Sequence, residues 1–239
     1  MISVCLASYN GDLFIKEQID SILPQLSVTD EIVISDDSST DNTIEIIKSY
    51  NDKRIRLYRN KKSKSPASNF ENALRLAKGD YIFLCDQDDI WLPDKVESVM
   101  PHFNKYDLIV TDCTVVDGNL NVVEESFFES LKSGPGFWKN FVKNTYLGCC
   151  MAFKREILDY ALPFPSEIAM HDIWIGLLVE LKGKPFFLNK QLILYRRHDN
   201  NASFGGGKSE NSLFFKIKYR TLLIIDLLLR NIRYTSEKR

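Results

Sequence analysis

The sequence is short of features that mark several classes of protein. Its five cysteines are odd in number, Cys149 and Cys150 are adjacent, and Cys5, Cys85 and Cys113 sit in or beside apolar runs. That is no disulfide framework, and no pair has zinc-knuckle spacing. Buried free thiols in a reducing compartment are expected. The formal net charge is only −1, which removes any global attraction for nucleic acid. No run reaches the ~18 apolar residues of a spanning helix. The opening "MISVCLASYN" lacks the basic and long apolar regions of a secretory signal. No internal repeat is present, and "ASYNGD" after the first apolar run is not a glycine-rich phosphate loop. A cytoplasmic globular protein is expected.

What is there fits that class. Of 239 residues, 44% are apolar and 26% charged, enough to bury a sizeable core. "ISVCLA", "EIVISD", "IRLYRN", "YIFLCD" and "DLIVTD" read as short strands. Helical patterns lie between them, at Leu13 to Leu26, Thr40 to Tyr50, Ser68 to Lys78 (stopped by Gly79) and Pro93 to Phe103. This alternation predicts an α/β fold, a mostly parallel open sheet with helices on both faces. The second half is less regular. "TVVDGNLNVV" predicts a hairpin, residues 124 to 136 a mobile loop, and "YLGCCMAF" a buried strand. "HDIWIGLLVELKG" predicts a helix ending at Gly183, and "PFFLNKQLILYRRH" a pair of strands. "NNASFGGGKSENS" is expected to be flexible, and Leu213 to Arg233 helical.

Several polar clusters fall at the C-terminal ends of the predicted strands: "SYN", "SDDSSTDN", "DQDD" and "TDC". In an open parallel sheet that edge is where ligands bind. Asp86, Asp88 and Asp89 crowd like charges together after "YIFLC", and a divalent cation would make them compatible. Oxygen ligands suit Mg²⁺ or Mn²⁺ better than zinc. The plain alternative is a solvated acidic turn in which Asp89 and Asp94 complement the next helix N-terminus.

These residues carry a resemblance. "ISVCLASYNGDLFIKEQIDSILPQ", "EIVISDDSSTDNT", "KGDYIFLCDQDDIWLPDKV", "HDIWIGLLVELKG" and "LILYRRHDNN" are similar in order and spacing to the family 2 glycosyltransferases, from Ile2 to about Ser203. "DQDDIW", "HDIW" and "YRRHDNN" resemble bacterial rhamnosyltransferase-like members that build surface polysaccharides. The resemblance implies a GT-A fold and transfer of a sugar from a nucleotide-sugar donor, linked to UDP, dTDP or GDP, to a glycan or lipid-linked acceptor. It assigns residues 1–112 to a nucleotide-binding half and 113–205 to an acceptor-binding half, with 206–239 as a flexible loop and amphipathic helix. Ala7, Ser8, Tyr9 and Asp37 would meet the nucleotide, and Asp86 its ribose or, through water, the metal. Asp88 would be the metal ligand, with Asp89 supporting it, and Asp172 the catalytic base. The Gln-x-x-Arg-Trp motif of processive members is absent, which favours addition of a single sugar.

The chemistry of these residue types agrees. Leaving of a sugar from a diphosphate needs charge neutralised, and an attacking hydroxyl needs a base within reach. Asp172 opens an apolar helix, where a carboxylate serves as a desolvated base or simply as a cap. His171 reads as its orienting neighbour. Arg196, Arg197 and His198 follow the last apolar strand and suit a diphosphate, directly or, for His198, through the metal. A hydrogen-bonded surface histidine is the alternative. Trp91 reads as core, and Trp174 stays open.

In "SLFFKIKYRTLLIIDLLLRNIRY", apolar residues alternate with Lys216, Lys218, Arg220, Arg230 and Arg233. Such a helix packs on the domain or on a second subunit as a homodimer seam, or lies peripherally on an anionic membrane surface. Two other functions compete: a nucleotidyltransferase, which would need a glycine-rich basic loop after the first strand, and a non-catalytic sugar- or nucleotide-binding module.

Overall fold

Four early apolar runs form strands, three of them largely buried on both faces, as a sheet covered by helices requires, and the edge one partly exposed. In the computed structural model, which describes residues 1–61, 65–166, 168, 170–198 and 213–237, they are Ile2–Ser8 (β1), Glu31–Asp36 (β2), Ile55–Arg59 (β3) and Tyr81–Asp86 (β4). These four pair in parallel in the order β3-β2-β1-β4. Between them run Ile15–Ile22 (α1), Thr43–Ser49 (α2) and Pro66–Leu76 (α3). Ser65 caps α3 by accepting from Ser68 N, and Pro66 opens it. α3 ends at Leu76, three residues before the predicted glycine stop. Gly79 matters for a different reason: a Cβ there would lie 2.5 Å from Ser3 N.

Beyond β4 the sheet becomes mixed. Ile90–Trp91 (β5) and Lys95–Val99 (α4) lead into the long strand Leu108–Val116 (β6), which forms the predicted hairpin with Val122–Glu124 (β7). Phe127–Leu131 (α5) and Phe137–Val142 (α6) follow, then Met151–Lys154 (β8) and Leu158–Ala161 (α7). His171–Lys182 (α8), Pro185–Arg196 (β9) and Leu213–Glu237 (α9) complete the described chain. The path is β3-β2-β1-β4-β8-β6-β9-β5, with β7 on the edge of β6. β8 is antiparallel to β4 and β6, while β9 is parallel to β6.

Three expectations need correction. The predicted loop at 124–136 contains α5, capped by Ser126, whose Oγ accepts from Glu129 N at 3.1 Å. It is too short to show a period. The predicted strand pair at 185–198 is one twelve-residue strand, because polar Asn189 and Lys190 sit at a register shift opposite Thr111 and Asp112 and not in a turn. Of "YLGCCMAF" only the last three residues are strand, the start of Met151–Lys154; Gly148–Cys150 is a 3₁₀ turn. The glycine-rich stretch expected to be flexible lies outside the described residues, as do the side chains of Lys216 and Arg233.

The five cysteines are buried and unbridged, and Trp91 and Trp174 are core. α9 lies on the body through Leu223 and Leu227, and Arg230 donates to the carbonyls of Tyr160 and Leu162. Among the described residues no helix is long and apolar enough to cross a membrane.

Candidate active site

Parallel pairing brings the C-terminal ends of β1, β2, β3 and β4 to one edge. Register sets Ala7 beside Asp86 on one side and Ser35 on the other, and Ser8 beside Asp36. Ser8 Oγ donates to Asp36 Oδ2 at 2.9 Å, and Asp37 N donates to Ser8 O at 2.9 Å. Asp37 is buried, with Oδ1 accepting from Asn60 Nδ2 at 2.7 Å. Tyr9 stands half-exposed at the mouth, its backbone clipped to the acidic loop from both sides. Its N–H donates to Gln87 Oε1 at 2.9 Å, and its carbonyl accepts from Gln87 Nε2 at 3.0 Å. Gly11 leaves room for that amide, since a Cβ there would lie 2.2 Å from Gln87 Oε1.

The acidic loop is more buried than an ordinary turn. Asp88 and Asp89 are nearly inaccessible, and Asp86 keeps some surface at the mouth. Burial first, then the charges of Asp88 and Asp172, push the Asp86 carboxyl up to about 8. Asp88 is also raised, by burial, with His198 opposing. Asp89 is raised well above the carboxylate range by burial and by both neighbours. Its Oδ1 accepts from Arg196 N at 3.0 Å, while Oδ2 has no hydrogen-bond partner among the described residues. Asp86, Asp89 and the Cys149 thiol place ligand atoms within 4.8 Å of one another. The solvated-turn alternative does not describe such a loop.

Asp172 is reached from the other half of the chain. It is 2% exposed in the first turn of α8, and its Oδ1 accepts from Ile173 N at 2.5 Å. Burial pushes its carboxyl up to about 7, against hydrogen bonds from Ile173 N and the Asn144 side chain that favour the charged form. His171 is buried against Phe70, ring centroids 4.0 Å apart, and burial pulls it down to about 3, so it is neutral. Gly148 leaves the space its ring needs: a Cβ there would lie 2.7 Å from Nε2.

The end of β9 closes the site. His198 Nε2 lies 3.0 Å from Asp88 Oδ2, and its ring stacks on Phe14 with centroids 4.8 Å apart. The Arg196 guanidinium is 4.8 Å from the same Phe14 ring, bonds to Asp88 O at 2.8 Å and Gly118 O at 3.1 Å, and pairs with Glu17. Arg196 thus ties the acidic loop to α1 and the hairpin. Arg197 pairs with Glu124 through Nη1, and its Nε and Nη2 lack a hydrogen-bond partner among the described residues. The residues singled out in the sequence thus fall into three neighbouring groups, the nucleotide edge, the acidic loop with Arg196 and His198, and Asp172 with His171, while Arg197 turns to Glu124 on β7.

Sequence reasoning missed four contributors. Gln87 sits inside the Asp-rich run, and Asn60 and Asn144 are isolated amides whose partners are distant in sequence. The fourth, Lys95, is fully buried; its Nζ donates to Cys149 O at 2.9 Å and lies 4.3 Å from the Trp91 ring centroid. Burial lowers its affinity for a proton, while Asp89 and the neighbouring thiols raise it. A lysine four positions before Val99, on the inward face of α4, was the available signal.

Comparison with known proteins is consistent with this arrangement. The family described as "Glycosyl transferase family 2" matches residues 3–161. A dTDP-rhamnosyl transferase, RfbG of Shigella flexneri, is 30% identical over 97% of this chain and 81% of its own. The teichuronic acid biosynthesis glycosyltransferase TuaG of Bacillus subtilis, itself described as putative, is 27% identical over 90% and 86%. In shape the chain is similar to TarS (residues 1–349) of S. aureus in complex with UDP-GlcNAc, with a TM-score of 0.72 at 20% identity over 94% of this chain and 66% of that one. It spans 60% of the chain in a second structure of TarS 1–349. Glucosyl-3-phosphoglycerate synthase of Mycobacterium tuberculosis, in complex with Mn²⁺, UDP and phosphoglyceric acid, gives a TM-score of 0.61 at 20% identity over 96% and 78%.

Proposed function

Because the chain belongs to glycosyl transferase family 2 and is a glycosyltransferase, we propose that it moves one sugar, with inversion, from a nucleotide-diphosphate donor to a hydroxyl of a glycan or lipid-linked acceptor in surface polysaccharide synthesis. Residues 1–112 hold the donor's nucleotide at Ala7, Ser8, Tyr9 and Asp37, and 113–205 present the acceptor. The reaction takes place in the cytoplasm, on the inner face of the cell membrane. The observation that carries this reading is the meeting of two buried acidic groups from separate halves of the chain, Asp172 lying near enough to Asp86 for its charge to raise that carboxyl.

The acidic loop fits a divalent cation, since Asp89 Oδ2 lacks a hydrogen-bond partner and Asp86, Asp89 and the Cys149 thiol bring ligand atoms within 4.8 Å of one another, and a cation at Asp88 would replace its hydrogen bond to His198. Asp88 and His198 would hold Mg²⁺ or Mn²⁺, with Asp86 on the ribose or on a metal-bound water. Such an ion supplies positive charge to the departing diphosphate. The chain's own residues do the rest. Asp172, its ordinary affinity for protons raised to about 7, accepts the acceptor's hydroxyl proton as the new C–O bond forms and the bond to the diphosphate breaks. Arg197 would donate to phosphate oxygens once released from Glu124, whereas Arg196 holds the loop in place. Neutral His171 packs beside the base without competing for its proton.

The test is nucleotide release from UDP-, dTDP- and GDP-sugars, dTDP-rhamnose first given the likeness to RfbG, with and without acceptor and Mn²⁺. Acceptor-dependent release with an inverted anomeric product is expected. Release of pyrophosphate from a nucleoside triphosphate, binding without turnover, or a retained anomer would overturn the reading.

A further inference from the structure

α9 is apolar on two opposite sides, and its own body covers only one of them. Leu223 and Leu227 are buried, and Tyr219, Leu222 and Asp226 line a narrow crevice with Pro165 and Ile168. At ~100° per residue, Ile217, Ile225, Leu228 and Leu229 project from the far side of the helix. They are 56%, 45%, 58% and 50% exposed, on a helix anchored by Arg230. A surface helix is normally polar on that side.

A second exposed surface lies on α6. Arg220 donates to the carbonyl of Val142, joining the two helices, and both Trp138 (69% exposed) and Val142 (59%) face solvent. Exposed Lys139, Lys143 and Lys218 flank these side chains. Asp226, the one acid among the described side chains of α9, lies on the packing side. An exposed tryptophan, a row of Leu and Ile and a rim of lysine are the chemistry of an anionic lipid interface. Exposed apolar surface of this extent on a monomer marks an interaction site.

We propose that the outward faces of α6 and α9 together dock on an anionic lipid bilayer, with Trp138 as the aromatic anchor. The mounting is rigid. Gly136 N and Tyr146 OH both donate to Glu180 on α8, and Asn140 fixes the ends of α6 through Gly134 O, Gly136 O and Thr145. Asn144, two residues past α6, touches Asp172. Docking through α6 therefore sets Asp172 at a fixed offset from the lipid, as transfer to a lipid-linked hydroxyl would require. That last step rests on the transfer reading above; the docking does not.

The protein offers its own reporter, because Trp91 and Trp174 are buried and Trp138 is the single exposed tryptophan. The full chain is mixed with vesicles of phosphatidylcholine, with and without half phosphatidylglycerol. Co-sedimentation with the anionic vesicles only, and a blue shift of tryptophan emission lost in Trp138→Phe, are expected. Leu228→Glu with Leu229→Glu should cut the bound fraction at least about tenfold, and high salt should weaken binding, as basic residues near such a surface are screened within a Debye length of about 8 Å at physiological salt. Both substitutions are at exposed positions, so release of nucleotide with a water-soluble acceptor should be unchanged. A wild-type protein that ignores anionic vesicles at low salt overturns the proposal. So does a wild-type dimer that the double variant splits while vesicles do nothing, which would make the face a subunit seam. Partition without a shift in Trp138 emission would remove α6 from the surface. Vesicle binding with no sugar transfer by the wild type would sink the transfer reading alone.

Discussion

Two groups of buried carboxylates lie near one another, and burial raises both, but only one of them is raised further by like charge. In the β4–β5 loop, Asp86 and Asp89 are pushed up by burial and then by neighbouring carboxylates. Asp172 is pushed up by burial alone, and the hydrogen bonds it accepts pull the other way. A group raised by like charge is relieved by a cation. A group raised by desolvation is relieved by a proton. The first arrangement suits charge neutralisation and the second proton transfer, although both are aspartates at the C-terminal edge of one sheet.

The sharpest way to break this distinction is to remove one group at a time. Asp88→Asn should abolish the thermal shift given by donor nucleotide with Mn²⁺ and bring turnover to background, without unfolding the protein, since its neighbours His198 and Arg196 remain held by Phe14 and Glu17. Persistent turnover in EDTA, for wild type or variant, would end the cation reading. Asp172→Asn should leave that nucleotide shift intact and lower kcat by roughly 10²-fold or more. The wild-type kcat should climb with pH up to about 7 and level off, because only the ionised carboxylate accepts a proton. Equal losses in nucleotide affinity and rate would instead make Asp172 a helix cap.

Lys95 sharpens the contrast further. The acidic loop carries a resident ammonium beneath it, and Asp172 has none. Lys95→Met keeps the volume but leaves the Cys149 carbonyl buried without its donor. A loss of about 1 to 2 kcal/mol in urea unfolding is expected, as for an unsatisfied buried acceptor. An unchanged midpoint would show that this bond contributes nothing to stability.

The difference between the regions also decided what could be read in advance. The parallel half was legible because β1, β2 and β4 are largely apolar runs that end in Ser or Asp at the ligand edge. The later half was harder. β9 spans a polar Asn189-Lys190 pair that looks like a turn, and Lys190 in fact reaches Asp94. Asp37, Asp88 and Asp172 stood out as carboxylates in short motifs. Gln87, Asn60, Asn144 and Lys95 did not, because an amide or ammonium announces nothing until the fold brings its partner to it. The two faces of α9 were visible as apolar residues, but nothing in their spacing said that Leu223 packs inward and Leu228 outward.

The smallest expected effect separates the two groups by stability. With a folded value near 7 against an ordinary value of 3.8, Asp172 binds its proton more tightly in the folded protein than in the unfolded chain. Its contribution is therefore fully present below about pH 4, falls as pH rises through about 7, and is flat above. The neutral amide of Asp172→Asn has no such slope. Relative to that variant, the wild type should lose stability between pH 5 and pH 8, measured by urea unfolding in EDTA. The amide forgoes part of the hydrogen bonding that Asn144 and Ile173 offer a carboxylate, and it also eases Asp86, whose charge is felt across the cleft. A net gain for the variant of about 1 kcal/mol at pH 8 is a reasonable scale. A wild type that matches the variant at both pH values would place the Asp172 carboxyl in ordinary solvent, and with it would go the distinction between a group awaiting a cation and a group awaiting a proton.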